Sequence, residues 1–316
     1  MLLRKDAEDE IYSGKGKDRM VNDQYTERAN VLIEALPYIR RFNGSTVVVK
    51  YGGAAMESSE LKRSVIADVV LLKLVGLKPI IVHGGGKEIS RWVGRLGIEP
   101  EFYNGLRITD AETLEVAEMV LGKVNKELVS IGVELGVRTV GISGKDGRLI
   151  TAKKKMPGGK DIGFVGDIVS VDGEILQHML DDDFLPVVYP IGIGEDGQGY
   201  NINADYVASA IAESLNADKL AFLSDIDGVY LDADDPESVI SELYVSEAEQ
   251  LIKEGRISGG MLPKLNNCID AVRNGVKRVH IINGTTKHSL LMEIFTDKGV
   301  GTAILSEEES RYYNEQ

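Results

Sequence analysis

Cysteine is almost missing from this 316-residue chain: Cys268 stands alone. An intramolecular disulfide is therefore excluded, and the composition fits a reducing cytoplasm, the expected location. Histidine is scarce too. His83, His178, His280 and His288 show no ligand spacing, so direct metal ligation by the protein is not expected. No run approaches the ~18 uninterrupted apolar residues of a membrane span. The opening MLLRKDAEDE lacks the apolar core of a signal peptide. Positive charge is in deficit: 36 Lys and Arg against 50 Asp and Glu give a net charge of −14. Broad nucleic-acid binding and adhesion to anionic membranes need positive surface and are set aside. A local basic pocket for a nucleotide remains open.

What is present is an alternating α/β pattern. Hydrophobic residues make up 43% of the chain, enough for one large domain or two lobes. Residues 1–21 read as a polar, mobile tail. From Gln24 to Arg41, Val31, Leu32, Ala35, Leu36 and Ile39 mark one helix face, and Pro37 should kink that helix. Strands are expected at 46–50, 79–83, 139–142, 184–190, 219–224, 278–282 and 301–305, with helices between most of them. Such alternation marks a mainly parallel sheet. Thr109-Asp110-Ala111-Glu112 predicts a capping box opening a long helix. Asp146-Gly147 and Asp172-Gly173 predict hairpin turns of an antiparallel flap over 147–176. Residues 192–199 read as a glycine-rich loop.

Two strands run straight into glycine: Val47-Val48-Val49-Lys50-Tyr51-Gly52-Gly53 and Ile80-Ile81-Val82-His83-Gly84-Gly85-Gly86. Such turns place bare backbone N–H groups at strand ends, where they hold anions. Lys50 beside them would neutralise charge on a transferring phosphoryl group, a reaction that depends on positioning and electrostatics. His83 reads as a core histidine. The Walker pattern is absent, and Gly192-Ile193-Gly194-Glu195-Asp196-Gly197 matches a dinucleotide fingerprint without opening a helix. Arg107 has the bidentate fork that suits a substrate carboxylate. Asn203 is a plausible helix cap, leaving Asn201 free, and Asp205 at the helix mouth would orient lysines. Asp225, Asp227, Gly259, Gly260 and Lys264 lie in two further loops that would offer a nucleotide backbone donors, carboxylates and a second cation.

Taken in order, VVVKYGG, IIVHGGGKEI, NGLRITD, YNINADYVASAIA, LSDIDGVY and ISGGMLPK resemble the amino acid kinase family over residues 24–306. The resemblance implies a three-layer αβα sandwich around a mostly parallel sheet of about eight strands. Residues 43–216 would bind the amino-acid substrate and 217–306 ATP with Mg2+, after an oligomerisation helix at 22–42 and before a tail at 307–316. Within the family the motifs best fit the branch phosphorylating N-acetyl-L-glutamate. Branches acting on carbamate, glutamate, aspartate or UMP, or a non-catalytic sensor, are the alternatives. Lys50, Lys264, Asp205 and Gly53 would be catalytic, and Gly85, Gly86, Arg107 and Asn201 would hold substrate. Ser224, Asp225, Asp227, Gly228, Val229, Gly259, Gly260 and Met261 would line the ATP site. The resemblance extends to arginine-inhibited members, implying an L-arginine site at Tyr25, Lys219, His280, Glu293 and Gly299 and a homodimer or homohexamer. Some relatives bind a PII-type signalling protein.

Overall fold

The computed structural model describes residues 25–309 apart from 28, 233, 234, 297 and 298. The expected tail at 1–21 lies outside the described residues, as does most of that at 307–316. Two compact units result, one ending at Asn43 and the other beginning at Gly44.

In the first unit, residues 29–34 are helical, Ala35 forms a turn, and a second helix spans Leu36–Phe42. The interruption expected from Pro37 thus falls at Ala35, in the turn that precedes the proline. Pro37 sits in the first turn of the second helix, where a missing N–H has no intrahelical partner to lose. Val31, Leu32, Ile33 and Leu36 are all exposed.

The second unit is built on an eight-stranded sheet. Its strands are β1 Thr46–Tyr51, β2 Lys78–His83, β3 Thr139–Ser143, β4 Leu185–Tyr189, β5 Lys219–Ser224, β6 Glu242–Tyr244, β7 Arg278–Asn283 and β8 Thr302–Leu305. They lie in the order β6-β8-β7-β5-β1-β2-β4-β3. Only β7 and β8 pair antiparallel among them. The central strands carry continuous apolar runs because helices cover both faces of such a sheet; Val47, Val48 and Val49 are wholly buried. The main helices are α1 Ser59–Leu74, α2 Gly86–Arg95, α3 Ala111–Glu134, α4 Gly173–Asp181, α5 Ala204–Ser214, α6 Val245–Lys253, α7 Met261–Arg273 and α8 Ser289–Ile294. No described helix is long and apolar enough to cross a membrane.

Three local expectations change. Asp110, not Thr109, caps α3, accepting from the Thr113 N–H at 2.7 Å. Thr109 is buried, and its hydroxyl donates instead to the Arg107 carbonyl. The flap exists, as strands Ile150–Lys154 and Gly166–Val171, but its connection passes through Pro157–Gly159. Asp172 caps α4, and Asp146 lies in a 3-10 turn; a short polar side chain before glycine serves caps as readily as hairpins. The 192–199 segment contributes a hairpin, Ile191–Ile193 with Gly199–Asn201, to the same four-stranded sheet.

Chain direction matters most at β1. Its sequence neighbour β2 lies on one side and the later β5 on the other. Such a reversal opens a crevice beyond the C-terminal ends of the strands, where α/β proteins bind ligands. Gly52-Gly53, Gly84-Gly85-Gly86 and Asp225 all follow strands that end at that edge.

Candidate active site

Lys50 is the last residue but one of β1. Its side chain folds back over the following turn: a Cβ on Gly52 would lie 2.8 Å from Lys50 Nζ. The ammonium ends 2.8 Å from Asp205 Oδ1, and Lys264 Nζ lies 3.6 Å from Asp205 Oδ2. One carboxylate therefore bridges two lysines. Asp205 is held in place from both ends. The Asn203 side chain, capping α5, accepts from the Asp205 N–H at 2.8 Å, and Asn267 of α7 donates to the Asp205 carbonyl at 3.3 Å. Burial alone would push the Asp205 carboxyl up, but the Lys50 and Lys264 ammonium groups outweigh it and hold it below the ordinary value.

The two glycine turns form one wall. Gly84 N donates to Tyr51 O at 2.9 Å, tying them together. Gly85 is closed to a side chain, since a Cβ there would meet Leu121 Cδ2 at 2.7 Å. Gly86, at the start of α2, and Gly53, at a φ of +69°, instead face open space. That space is a cavity of about 260 Å3 lined by Lys50, Gly52, Gly53, Gly84, Gly85, Gly86, Arg107, Asn201 and Asp205, together with Ile89, Phe102 and Leu121. A helix N-terminus and bare backbone opening on a cavity with a lysine make an anion cradle. His83 stays in the core. It is fully buried, with Nδ1 2.9 Å from Gly84 O and Nε2 3.2 Å from Asn125 Nδ2. Burial pushes its pKa down to about 4, so the ring is neutral: Nδ1 donates to the carbonyl and Nε2 accepts.

Arg107 is buried, on a two-residue strand paired with Phe102-Tyr103. Its Nη2 donates to Gly86 O at 2.8 Å and to Ser90 Oγ at 2.7 Å, while Nη1 has no protein partner. The Phe102 ring lies 4.8 Å from its Cζ. The protein therefore already holds the guanidinium through Nη2. Asn201 Nδ2 donates to Thr109 Oγ1 at 3.3 Å on the same cavity wall.

A second cavity of about 360 Å3 is lined by Asp225, Gly260, Met261 and Lys264, with Ile226, Tyr230, Arg256, Ile257 and Ser258. Other expected nucleotide residues sit behind it. Val229 N donates to Thr302 Oγ1 at 2.8 Å, and a Cβ on Gly228 would meet that hydroxyl at 2.4 Å, so this glycine serves packing. Asp227 turns its carboxylate to Asn283 Nδ2 and Tyr230 Oη, each at 2.8 Å. Those bonds hold it below the ordinary carboxylate range. Ser224 is buried, its carbonyl accepting from Gly284 N at 2.8 Å. Gly259 adopts a φ of +58°.

Lys219, His280 and Glu293 are all buried in the C-terminal half. His280 Nδ1 lies 2.7 Å from Glu293 Oε1. Glu293 Oε2 accepts from Val300 N at 2.7 Å and Gly301 N at 2.9 Å. Gly299 approaches so closely that its Cβ would fall 2.4 Å from that oxygen. Glu293, implied by the resemblance to belong to an L-arginine site, thus secures the 299–301 turn. Tyr25 belongs to the N-terminal unit.

Two lysines sharing one carboxylate, beside a glycine cradle and between two cavities, is an arrangement for moving a phosphoryl group. Known proteins agree on the lineage: a sequence model of the amino acid kinase family matches residues 45–283. The chain belongs to the amino acid kinase family. An acetylglutamate kinase from Caldanaerobacter subterraneus subsp. tengcongensis is 55% identical over 278 residues, covering 88% of this chain and 93% of that one. Among solved structures, N-acetylglutamate synthase from Neisseria gonorrhoeae complexed with coenzyme A and N-acetyl-glutamate superposes with a TM-score of 0.80 at 29% identity over 89% of this chain. The chain spans 64% of that synthase's length. The same synthase complexed with coenzyme A and L-arginine gives a TM-score of 0.77 at 28% identity, covering 88% of this chain and 65% of that one.

Family motifs led to the glycines, lysines and Asp205. They did not lead to Ser90 or Phe102. These side chains sit on ordinary helix and strand positions, and only the folded chain brings Ser90 to Arg107.

Proposed function

We infer that the chain transfers the γ-phosphoryl group of ATP to the side-chain carboxylate of N-acetyl-L-glutamate, forming N-acetyl-L-glutamyl 5-phosphate and ADP. One observation carries this reading most directly: Asp205 pairs with Lys50, which lines the first cavity, and with Lys264, which lines the second. Acceptor and nucleotide then meet across Asp205. A carboxylate oxygen of the acceptor attacks the γ-phosphorus while the bond to the ADP oxygen breaks. The nucleophile is already ionised at neutral pH, so no general base is required. Lys50 and Lys264 offset charge on the transferring group, and Gly53, Gly85 and Gly86 supply backbone donors. Arg107 and Asn201 hold the α-carboxylate. The carboxylate nearest the transfer point, Asp205, is committed to lysines, and no group of three or more His, Cys, Asp or Glu converges among the described residues. This donor set suits Mg2+ that arrives on the ATP phosphates and keeps much of its water; there it neutralises phosphate charge.

The test is a panel of acceptors with ADP detection. Turnover with N-acetyl-L-glutamate supports the reading. Turnover only with glutamate, aspartate, carbamate or UMP overturns it.

We further propose feedback inhibition by L-arginine at Lys219, His280, Glu293 and Gly299; Tyr25, expected to join them, lies in the unit that holds the N-terminal helix. The buried Glu293 carboxylate and the arginine complex of the similar synthase support it. The exposed apolar residues Val31, Leu32, Ile33 and Leu36 support a homo-oligomer, dimer or hexamer, built through that helix. Activity measured against rising arginine checks the regulation; a flat response into the millimolar range rejects it. A PII-type partner remains to be tested by binding.

A further inference from the structure

Ser90 takes no part in the readings above, yet it touches one of the two side chains assigned to the substrate's α-carboxylate. It lies one helical turn after Gly86 on α2, so its hydroxyl and the Gly86 carbonyl face the same way. Both accept from Arg107 Nη2, at 2.7 and 2.8 Å. The guanidinium is thereby fixed at Nη2, and Phe102 covers its face. The side chain is only 8% exposed and lines the cavity, with Nη1 buried and without a protein partner.

We propose that Ser90 is a positioning residue for substrate binding: it locks the Arg107 guanidinium in the orientation that meets the α-carboxylate. The inference rests on the acetylglutamate reading for the identity of that carboxylate. Its physical basis is local. An arginine side chain has several rotatable bonds, and a single carbonyl would let the guanidinium pivot. A second acceptor on the same nitrogen removes that freedom before the substrate arrives, which is preorganisation. The lock also ties two functions to one helical turn. Gly86 offers its backbone to the phosphoryl cradle while its carbonyl holds Arg107. The acceptor is thereby anchored at its α end and reacts at the far end, against a common reference. Because Ser90 acts on binding and stays away from the reacting atoms, its loss should appear in KM and spare kcat.

The experiment compares wild type, Ser90→Ala, Ser90→Thr, Arg107→Lys and the Ser90→Ala/Arg107→Lys double variant. KM for N-acetyl-L-glutamate, KM for ATP and kcat are measured for each. Ser90→Ala is expected to raise KM for N-acetyl-L-glutamate about tenfold, the loss of one charge-assisted bond, with kcat and KM for ATP within about twofold of wild type. Ser90→Thr, which keeps the hydroxyl, restores most of the affinity. In the Arg107→Lys background, Ser90→Ala adds nothing further. An unchanged acceptor KM in Ser90→Ala overturns the proposal. So does a fall in kcat alone, or an equal rise in KM in the Arg107→Lys background. A wild-type chain that ignores N-acetyl-L-glutamate but phosphorylates another acidic acceptor sinks the functional reading instead; the same KM comparison on that acceptor then decides the role of Ser90.

Discussion

Lys50 and Asp205 are joined at 2.8 Å across the crevice, one from the end of the central strand β1 and the other from the first turn of α5. The same carboxylate reaches Lys264 on α7. Asp205 therefore sets where both cations sit, and its role is electrostatic and geometric. Asp205→Asn keeps the size and removes the charge. It should lower kcat about 100-fold, the scale for losing a preorganised electrostatic contact. KM values should move much less. Steady-state kinetics with each substrate varied in turn checks this; a kcat near wild type would show that the lysines hold their places without the bridge.

Gly86 and Gly85 separate ligand contact from packing. A methyl at Gly86 meets nothing within 4 Å, whereas one at Gly85 meets Leu121 at 2.7 Å. Gly86 also opens α2, a position where alanine is well tolerated. Gly86→Ala should melt within about 2 °C of wild type while kcat/KM falls at least about tenfold, because the methyl enters the cradle. Gly85→Ala should lose thermal stability as well. Thermal unfolding beside kinetics distinguishes them.

Much of this was legible before folding. A strand of β-branched residues entering glycine has few purposes, so β1, β2 and their turns were visible from residue type alone. The order β5-β1-β2 was not, because pairing between β1 and β5 links residues such as Val47 and Lys219 that no local pattern connects. The strand Glu242–Tyr244 escaped for a different reason: three residues are too few to show a period. Asp172-Gly173 was misread because a hairpin turn and a helix cap ask for the same side chains. At the site, Lys50 and Asp205 were found through motifs, but the direction of Arg107 was set by Ser90 and Gly86, and hydrogen-bond direction is invisible in sequence.

His83 predicts a pH effect on stability rather than on chemistry. Its folded pKa of about 4 lies below its ordinary 6.5, so the unfolded chain binds the extra proton between those values. The stabilisation is full above about pH 6.5 and is lost as pH falls toward 4, amounting to about 3 kcal/mol. Denaturant unfolding across that window should show stability falling with pH. His83→Gln should flatten the slope. An unchanged slope would place the proton elsewhere.

Chemical trapping of the product tests the central claim most directly. The purified chain is incubated with ATP, Mg2+, N-acetyl-L-glutamate and hydroxylamine, and both ADP and acyl hydroxamate are quantified. An acyl phosphate on the side-chain carboxylate predicts N-acetylglutamyl 5-hydroxamate formed in step with ADP, and its loss when Lys50 or Lys264 is replaced by alanine. ADP formed without hydroxamate, or undiminished turnover in both lysine variants, would contradict it.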